Sequence, residues 1–257
     1  MDGLHVNPTY TTMAHFWLIK QMIQADEWRM ISDNGSSIIS AFFRVFSKEI
    51  KLADAHHFLD IADKSKSKKQ CENEYKSAKY DLLDWGHHIG YETQNLYKLA
   101  YFVLKEVFET QQFHKEVKTT THTYKDWAKN PIDYPLASRD KGIHQVDCTT
   151  DLSALEPKDI AKMVMNVTDN STNSFMQQIR RNLSILERPL MTASGDGKSY
   201  IYANFNPKYA QYVLTILRTC YNFCLSYKTP NGKKLTPAQR IGITDKQFNL
   251  EDIIYLR

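Results

Sequence analysis

The sequence predicts a helix-rich α/β protein, and three observations carry that prediction. Helical and strand-like patterns alternate over residues 1–62. Apolar residues recur at helical spacing through much of the rest, most clearly over 92–113. Gly and Pro number only 9 and 8 in 257 residues, too few for long flexible linkers. Strands that alternate with helices argue for a parallel or mixed sheet covered by helices. With 42% hydrophobic and 24% charged residues, the chain can bury one large core or two smaller ones.

The elements follow in order. In "TTMAHFWLIKQMI", 11–23, Met13, Phe16, Trp17, Ile19 and Ile23 stand near helical spacing, with Thr11 or Thr12 as the cap. "EWRMIS", 27–32, reads as a short strand. "GSSIISAFFRVFSKEI", 35–50, reads as a helix, and "KLADAHHFL", 51–59, as a second strand. Two strands do not make a stable sheet, so this stretch reads as the second half of an α/β unit whose first strands are absent. The segment 63–90 begins polar and turns helical from about Glu72. In the helix over 92–113, Leu96, Leu99, Ala100, Val103, Val107 and Phe108 form the apolar stripe. Residues 114–150 read as an extended connection. Helices follow over 155–167, 173–188 and 208–228, with a loop or hairpin over 192–207. No internal repeat or low-complexity tract is present.

Composition narrows the function. The opening decapeptide has no basic segment followed by an apolar one, so no secretory leader is expected. No stretch approaches the ~20 apolar residues that span a bilayer. The expectation is a cytoplasmic protein with no membrane partner. Cys71, Cys148, Cys220 and Cys224 are too few and too scattered for a disulfide framework. Cys220 and Cys224 read as two small buried side chains on one helix face. His56–His57 and His87–His88 are adjacent pairs whose side chains diverge, which suits no metal pattern. The net charge of +4 is uneven: residues 175–257 carry 12 Lys and Arg against 5 Asp and Glu. A basic C-terminal third suits a polyanion, most often nucleic acid, or is a solvated face.

Three constellations offer chemistry. In "SDNGSSI", 32–38, Asp33 follows a strand directly. It is either a turn residue or a carboxylate at the strand end, where ligands of open α/β sheets gather. In "IRRNLSILERPL", 179–190, Glu187 lies between an apolar and a polar stripe with Arg180, Arg181 and Arg188 around it. That position suits a carboxylate reaching into a cleft, or a helix surface of Glu–Arg pairs. In the tail, Lys228, Lys233, Lys234 and Arg240 stand among Tyr221, Phe223 and Tyr227. The basic groups suit phosphate contact. The aromatics suit either base stacking or the core of an amphipathic helix.

These stretches resemble a known family. "YNFCLSYKTPNGKKLTPAQRIGI" looks like the closing segment of bacterial insertion-sequence transposases. "FMQQIRRNLSILERPL" resembles the Arg-Arg-x-Leu-x-x-Leu-Glu-Arg-Pro helix of one such group. "SDNGSSI" resembles the strand-end Asp-Asn-Gly of the DDE transposase and integrase superfamily. The resemblance implies a ribonuclease H-like core whose first strands are missing, with 1–62 as the partial core. It makes 63–150 a helical insertion and extended connection. It makes 151–257 the remainder of the catalytic core and a basic helical C-terminal segment. Asp33 and Glu187 fall on two of the family's metal-binding carboxylates, with Mg²⁺ or Mn²⁺ as the ion. The implied partners are double-stranded DNA at the element ends, and either a full-length transposase or a second copy of this chain. The implied location is the nucleoid. The family's first Asp sits on a strand with no counterpart here, so the expectation is a truncated and inactive, or split, transposase. The alternatives are a non-catalytic DNA-binding remnant and a helical interaction protein.

Overall fold

The computed structural model describes residues 7–183, 190–191, 198–199, 207–229 and 231–255. The chain forms two compact units, residues 1–169 and 170–257.

The N-terminal unit opens with α1 (Pro8–Met22). Its cap is Asn7, four and five residues before the predicted Thr11 and Thr12. The Asn7 side chain accepts from the Thr9 and Tyr10 N–H groups at 3.0 and 3.3 Å, and Pro8 fills the first helical position. Thr11 and Thr12 instead donate their hydroxyls to the Asn7 and Pro8 carbonyls. Strand β1 (Trp28–Ser32) leads into α2 (Ser36–Val45). The helix predicted over 35–50 breaks at Phe46, and α3 (Ser47–Lys51) follows. Ala53 then takes a left-handed φ of 61°, which delays the second strand, so β2 spans Ala55–Ile61.

Next come α4 (Lys68–His88) and α5 (Leu96–Phe108). A reciprocal capping box of Ser67 and Gln70 starts α4 within the charged stretch, before the predicted Glu72. Leu99, Ala100, Leu104 and Phe108 are the buried stripe of α5. Gly86 of α4 lets that stripe approach: a Cβ there would stand 2.7 Å from Leu99 Cδ2.

The stretch 114–150 supplies strands rather than a plain connection. β3 (His114–Lys118) and β4 (Thr123–Trp127) form an antiparallel hairpin. β5 (Ile132–Asp133) and β6 (Gln145–Cys148) join the main sheet, whose order is β1-β2-β6-β5. The sheet is therefore four-stranded rather than the two-stranded fragment predicted. β1 and β2 run parallel, joined through α2 and α3, while β6 and β5 add antiparallel. The unit closes with α6 (Pro157–Val164).

Register divides the sheet into two faces. Phe58 pairs across to Cys148, and with Ile31, Val146 and Ile132 it packs into the larger core, which holds Leu99, Leu104, Phe108 and Ile160. Ala55 and Trp28 lie on the other face against Phe42 and Phe46. Phe16 of α1 packs edge-on against both phenylalanines. His56 and His57 fall on opposite faces because strand side chains alternate.

The C-terminal unit contains α7 (Asn170–Asn182), an antiparallel pair of β7 (Leu190–Met191) and β8 (Lys198–Ser199), and α8 (Pro207–Thr219). One turn of π-helix, Cys220–Cys224, continues α8, with the Leu225 N–H donating to the Cys220 carbonyl at 3.1 Å. Cys220 and Cys224 are half-buried there, rather than buried on an α-helix face. β9 (Tyr227–Lys228) and β10 (Lys234–Leu235) form an antiparallel ribbon, followed by α9 (Pro237–Arg240) and α10 (Leu250–Tyr255). Among the described residues no helix is long and apolar enough to cross a membrane.

Candidate functional site

Asp33 stands one residue past the end of β1, in the turn that leads to α2. The Gly35 N–H donates to the Asp33 carbonyl at 2.8 Å, and the Ser32 hydroxyl donates to the same oxygen at 2.8 Å. Gly35 has φ −80°, ordinary extended backbone. The turn therefore does not use the special angles that Asp-Asn-Gly tolerates, as the sequence suggested. Gly35 lies close to the carboxylate: a Cβ there would stand 3.2 Å from Asp33 Oδ1, a contact that the exposed side chain must yield to by a few tenths of an ångström. The exposed Asp33 carboxylate has no hydrogen bond or ion pair with any described residue. It sits beside the N-terminal end of α2, where no acidic residue fills the first turn and no side chain caps the helix.

A buried polar chain fixes the strand end behind Asp33. Ser32 Oγ lies 3.0 Å from His57 Nε2, and His57 Nδ1 lies 2.7 Å from Thr149 Oγ1. The His57 N–H donates to Thr150 Oγ1 at 3.2 Å. These contacts tie β1 to β2, and β2 to the residues that follow β6. The His57 ring is fully buried, with its centroid 5.4 Å from that of Phe42. Burial pushes its pKa down to about 4, so the ring is neutral at physiological pH. Serine, histidine and a third polar group at hydrogen-bond spacing have the outline of an activated nucleophile. Here the third group is a neutral hydroxyl, and the dry ring resists protonation. The chain is built to hold Ser32 and the start of the Asp33 turn, not to carry a proton to a leaving group.

Two further buried acids escaped the sequence reading. Asp60 on β2 accepts from Lys141 Nζ at 2.8 Å, and Lys141 also reaches Asp169 at 2.6 Å. His144 Nε2 lies 3.9 Å from the same Asp60 carboxylate. Burial pulls the Lys141 pKa down, but the hydrogen bonds it donates to Asp169 and Asp60 outweigh that and the net direction is up. Burial lowers that of His144. Asp147 on β6 is buried, with Trp127 Nε1 donating to Oδ1 at 3.2 Å and Oδ2 unpartnered among the described residues. Burial raises its pKa. One signal was available: both acids interrupt apolar strand runs, "HHFLDI" and "HQVDC".

A metal needs more than Asp33. A carboxylate is the hard oxygen donor Mg²⁺ takes, but among the described residues no group of three His, Cys, Asp or Glu side chains is arranged to hold an ion. Glu187 and Arg188 lie outside the described residues. One described donor does not make a metal cage, so no chemical step is built on one.

The basic residues of the C-terminal unit present a different surface. Arg180 is half-buried and Arg181 exposed near the end of α7. Lys228 and Lys234 stand directly opposite one another across the β9–β10 ribbon, both exposed. Lys233 and Arg240 are exposed as well. None of these six has an ion pair with a described residue. Like charges directly opposite on a ribbon destabilise it. A bridging anion relieves that conflict. The ribbon is anchored by its neighbours: Thr236 and Gln239 cap α9 reciprocally, and Thr236 is fully buried. Tyr221 packs against Phe175 and Tyr227, and Phe223 against Phe248. Those rings are engaged with protein.

Compared with known proteins, the chain matches no family model, no curated protein and no solved structure.

Proposed function

We propose that the chain is a DNA-handling protein of the DDE transposase type, with a partial ribonuclease H-like core. The observation that carries this reading is the placement of Asp33. It sits just past the carboxyl end of a parallel strand, where a helix crosses over to the next strand. Ligands of open α/β sheets bind at that edge. A free carboxylate on a strand end braced by the Ser32–His57–Thr149 chain suits one ligand of a metal-dependent phosphoryl-transfer site. Asp33 would be one oxygen ligand of Mg²⁺ or Mn²⁺, and with further carboxylates the ion would supply Lewis-acid chemistry at a phosphate. The residues of this chain bind the duplex and hold Asp33.

Incubation of the full chain with duplex DNA and Mn²⁺ or Mg²⁺ tests the catalytic reading. The expected result is weak or no nicking and joining by the chain alone. Any nicking that does occur falls to background in Asp33→Asn. Nicking that persists in Asp33→Asn overturns the assignment of Asp33.

The opposed lysines favour a second reading, duplex binding without catalysis. It predicts an affinity that drops steeply with salt, as phosphate neutralisation requires, and that Asp33→Asn leaves unchanged. Absence of binding at low salt overturns it.

A further inference from the structure

Among the described residues, one face of α1 is left largely open. The helix packs through Phe16, but Tyr10 and Trp17 are 62% and 55% exposed. Tyr10, Met13, Ala14, Trp17 and Gln21 recur on successive turns and line a groove of about 520 Å³ with Arg44 and Val45 from the end of α2. That volume lies within the range of small-ligand sites. Lys20 also lines the groove, but its ammonium is already engaged. It donates to the Val45 carbonyl at 3.2 Å, pairs with Glu49 at 2.6 Å and lies over the Phe46 ring. Lys20 therefore braces the wall. Arg44 is exposed and has no ion pair with a described residue. No lining residue is acidic.

The chemistry on offer is two exposed aromatic rings, one amide and one free guanidinium. Seven residues separate the rings, about 10 Å along the helix axis. An occupant must bring flat apolar bodies and a negative charge. Groove-on-groove pairing with a second copy gives Arg44 no counter-charge, because no lining residue is acidic. An apolar peptide gives it none either. Single-stranded nucleic acid supplies both: bases stack on aromatic side chains while basic groups meet the phosphates.

We propose that this groove binds single-stranded DNA, with bases against Tyr10 and Trp17 and a phosphate at Arg44. The choice of DNA as the strand rests on the DNA-handling reading above. Unpaired strand would then be held by α1, and duplex by the β9–β10 ribbon, on different residues.

The test is titration of the full chain with a dye-labelled oligothymidylate at low salt, read by tryptophan fluorescence in the wild type and by the anisotropy of the dye in every variant. The expected result is quenching. Trp17→Leu should weaken binding about tenfold or more, the usual loss of one stacking partner. Arg44→Glu should weaken binding and reduce the salt slope by about one. Trp17 is more than half exposed, so the leucine leaves the packed side of α1 intact, and circular dichroism checks the fold. No quenching, or unchanged binding in the Trp17→Leu, Arg44→Glu double variant, overturns the proposal. A wild-type dimer that the double variant splits also overturns it, by showing a second copy as the occupant. Duplex binding is measured in parallel. Its loss with oligothymidylate binding intact sinks the duplex reading and leaves the groove standing, and the reverse outcome sinks the groove alone.

Discussion

Behind the Asp33 turn, the N-terminal unit takes several charged and polar side chains out of water and ties them to neighbours, whereas the C-terminal unit leaves lysines facing each other in water. Asp60 is sealed against Lys141, and His57 is threaded between Ser32 and Thr149. Lys228 and Lys234 meet across a two-residue ladder. The first arrangement fixes one geometry, because an unpaired group in a dry site is expensive. The second leaves a standing repulsion that an outside anion can remove. One region is built to hold a shape, and the other is built to be completed.

The largest effect should come from breaking the buried ion pair. Lys141→Ala leaves the Asp60 carboxylate, 5% exposed, with no ammonium beside it. Removing one partner of a buried pair costs about 3 kcal/mol or more. Replacing both, as in Asp60→Leu with Lys141→Met, should recover part of that loss, since the apolar pair needs no compensation while Asp169 still loses its ammonium. Urea midpoints of the single and double variants measure the difference. If the single variant is as stable as wild type, the buried pair is not what seals this region.

The next effect is a pH dependence centred on His57. Its folded pKa of about 4 lies below the ordinary 6.5, so the unfolded chain takes up a proton that the folded protein refuses. Stability from this group is therefore complete above pH 6.5 and is lost as pH falls toward 4. The loss amounts to roughly 3 kcal/mol at ~1.4 kcal/mol per unit. Asp147 works in the opposite sense, because burial raises its pKa and acid favours its folded form. The difference between wild type and His57→Gln isolates the histidine. The glutamine variant should have a flatter stability curve between pH 6.5 and 4. Equal slopes would mean that His57 takes up its proton equally in the folded and unfolded chain, so that burial does not shift it.

How much of this was legible in the sequence divides along the same line. The β1–α2–β2 order and the position of Asp33 at a strand end were readable, because local periodicity and turn residues set them. So was the apolar stripe of α5. The addition of β6 to the sheet was not. Gln145–Cys148 is four residues long, and it joins β2 across a gap of more than eighty residues. Short strands carry little periodic signal, and their pairing is a tertiary event. The Ser32–His57–Thr149 chain has the same origin. His57 is separated from Ser32 by 25 positions and from Thr149 by 92. The basic residues of the tail were legible one by one. Their opposition was not, because it depends on the register that the turn between β9 and β10 imposes.

The smallest stability effect should be the most informative about the C-terminal unit. Lys234→Glu turns a like-charged cross-strand pair into an opposite one with Lys228. Cross-strand pairs contribute about 0.2–1 kcal/mol, so the ribbon should become slightly more stable. Duplex affinity should move the other way. Two units of positive charge leave the surface, and the slope of log affinity against log salt should shrink by about one for the lost phosphate contact. A gain in stability coupled to a loss in binding is the signature of a surface whose charges are kept apart from their own structural interest. If Lys234→Glu leaves both duplex affinity and its salt slope unchanged, the opposed lysines are a solvated edge. The basic balance of residues 175–257 would then say nothing about a partner.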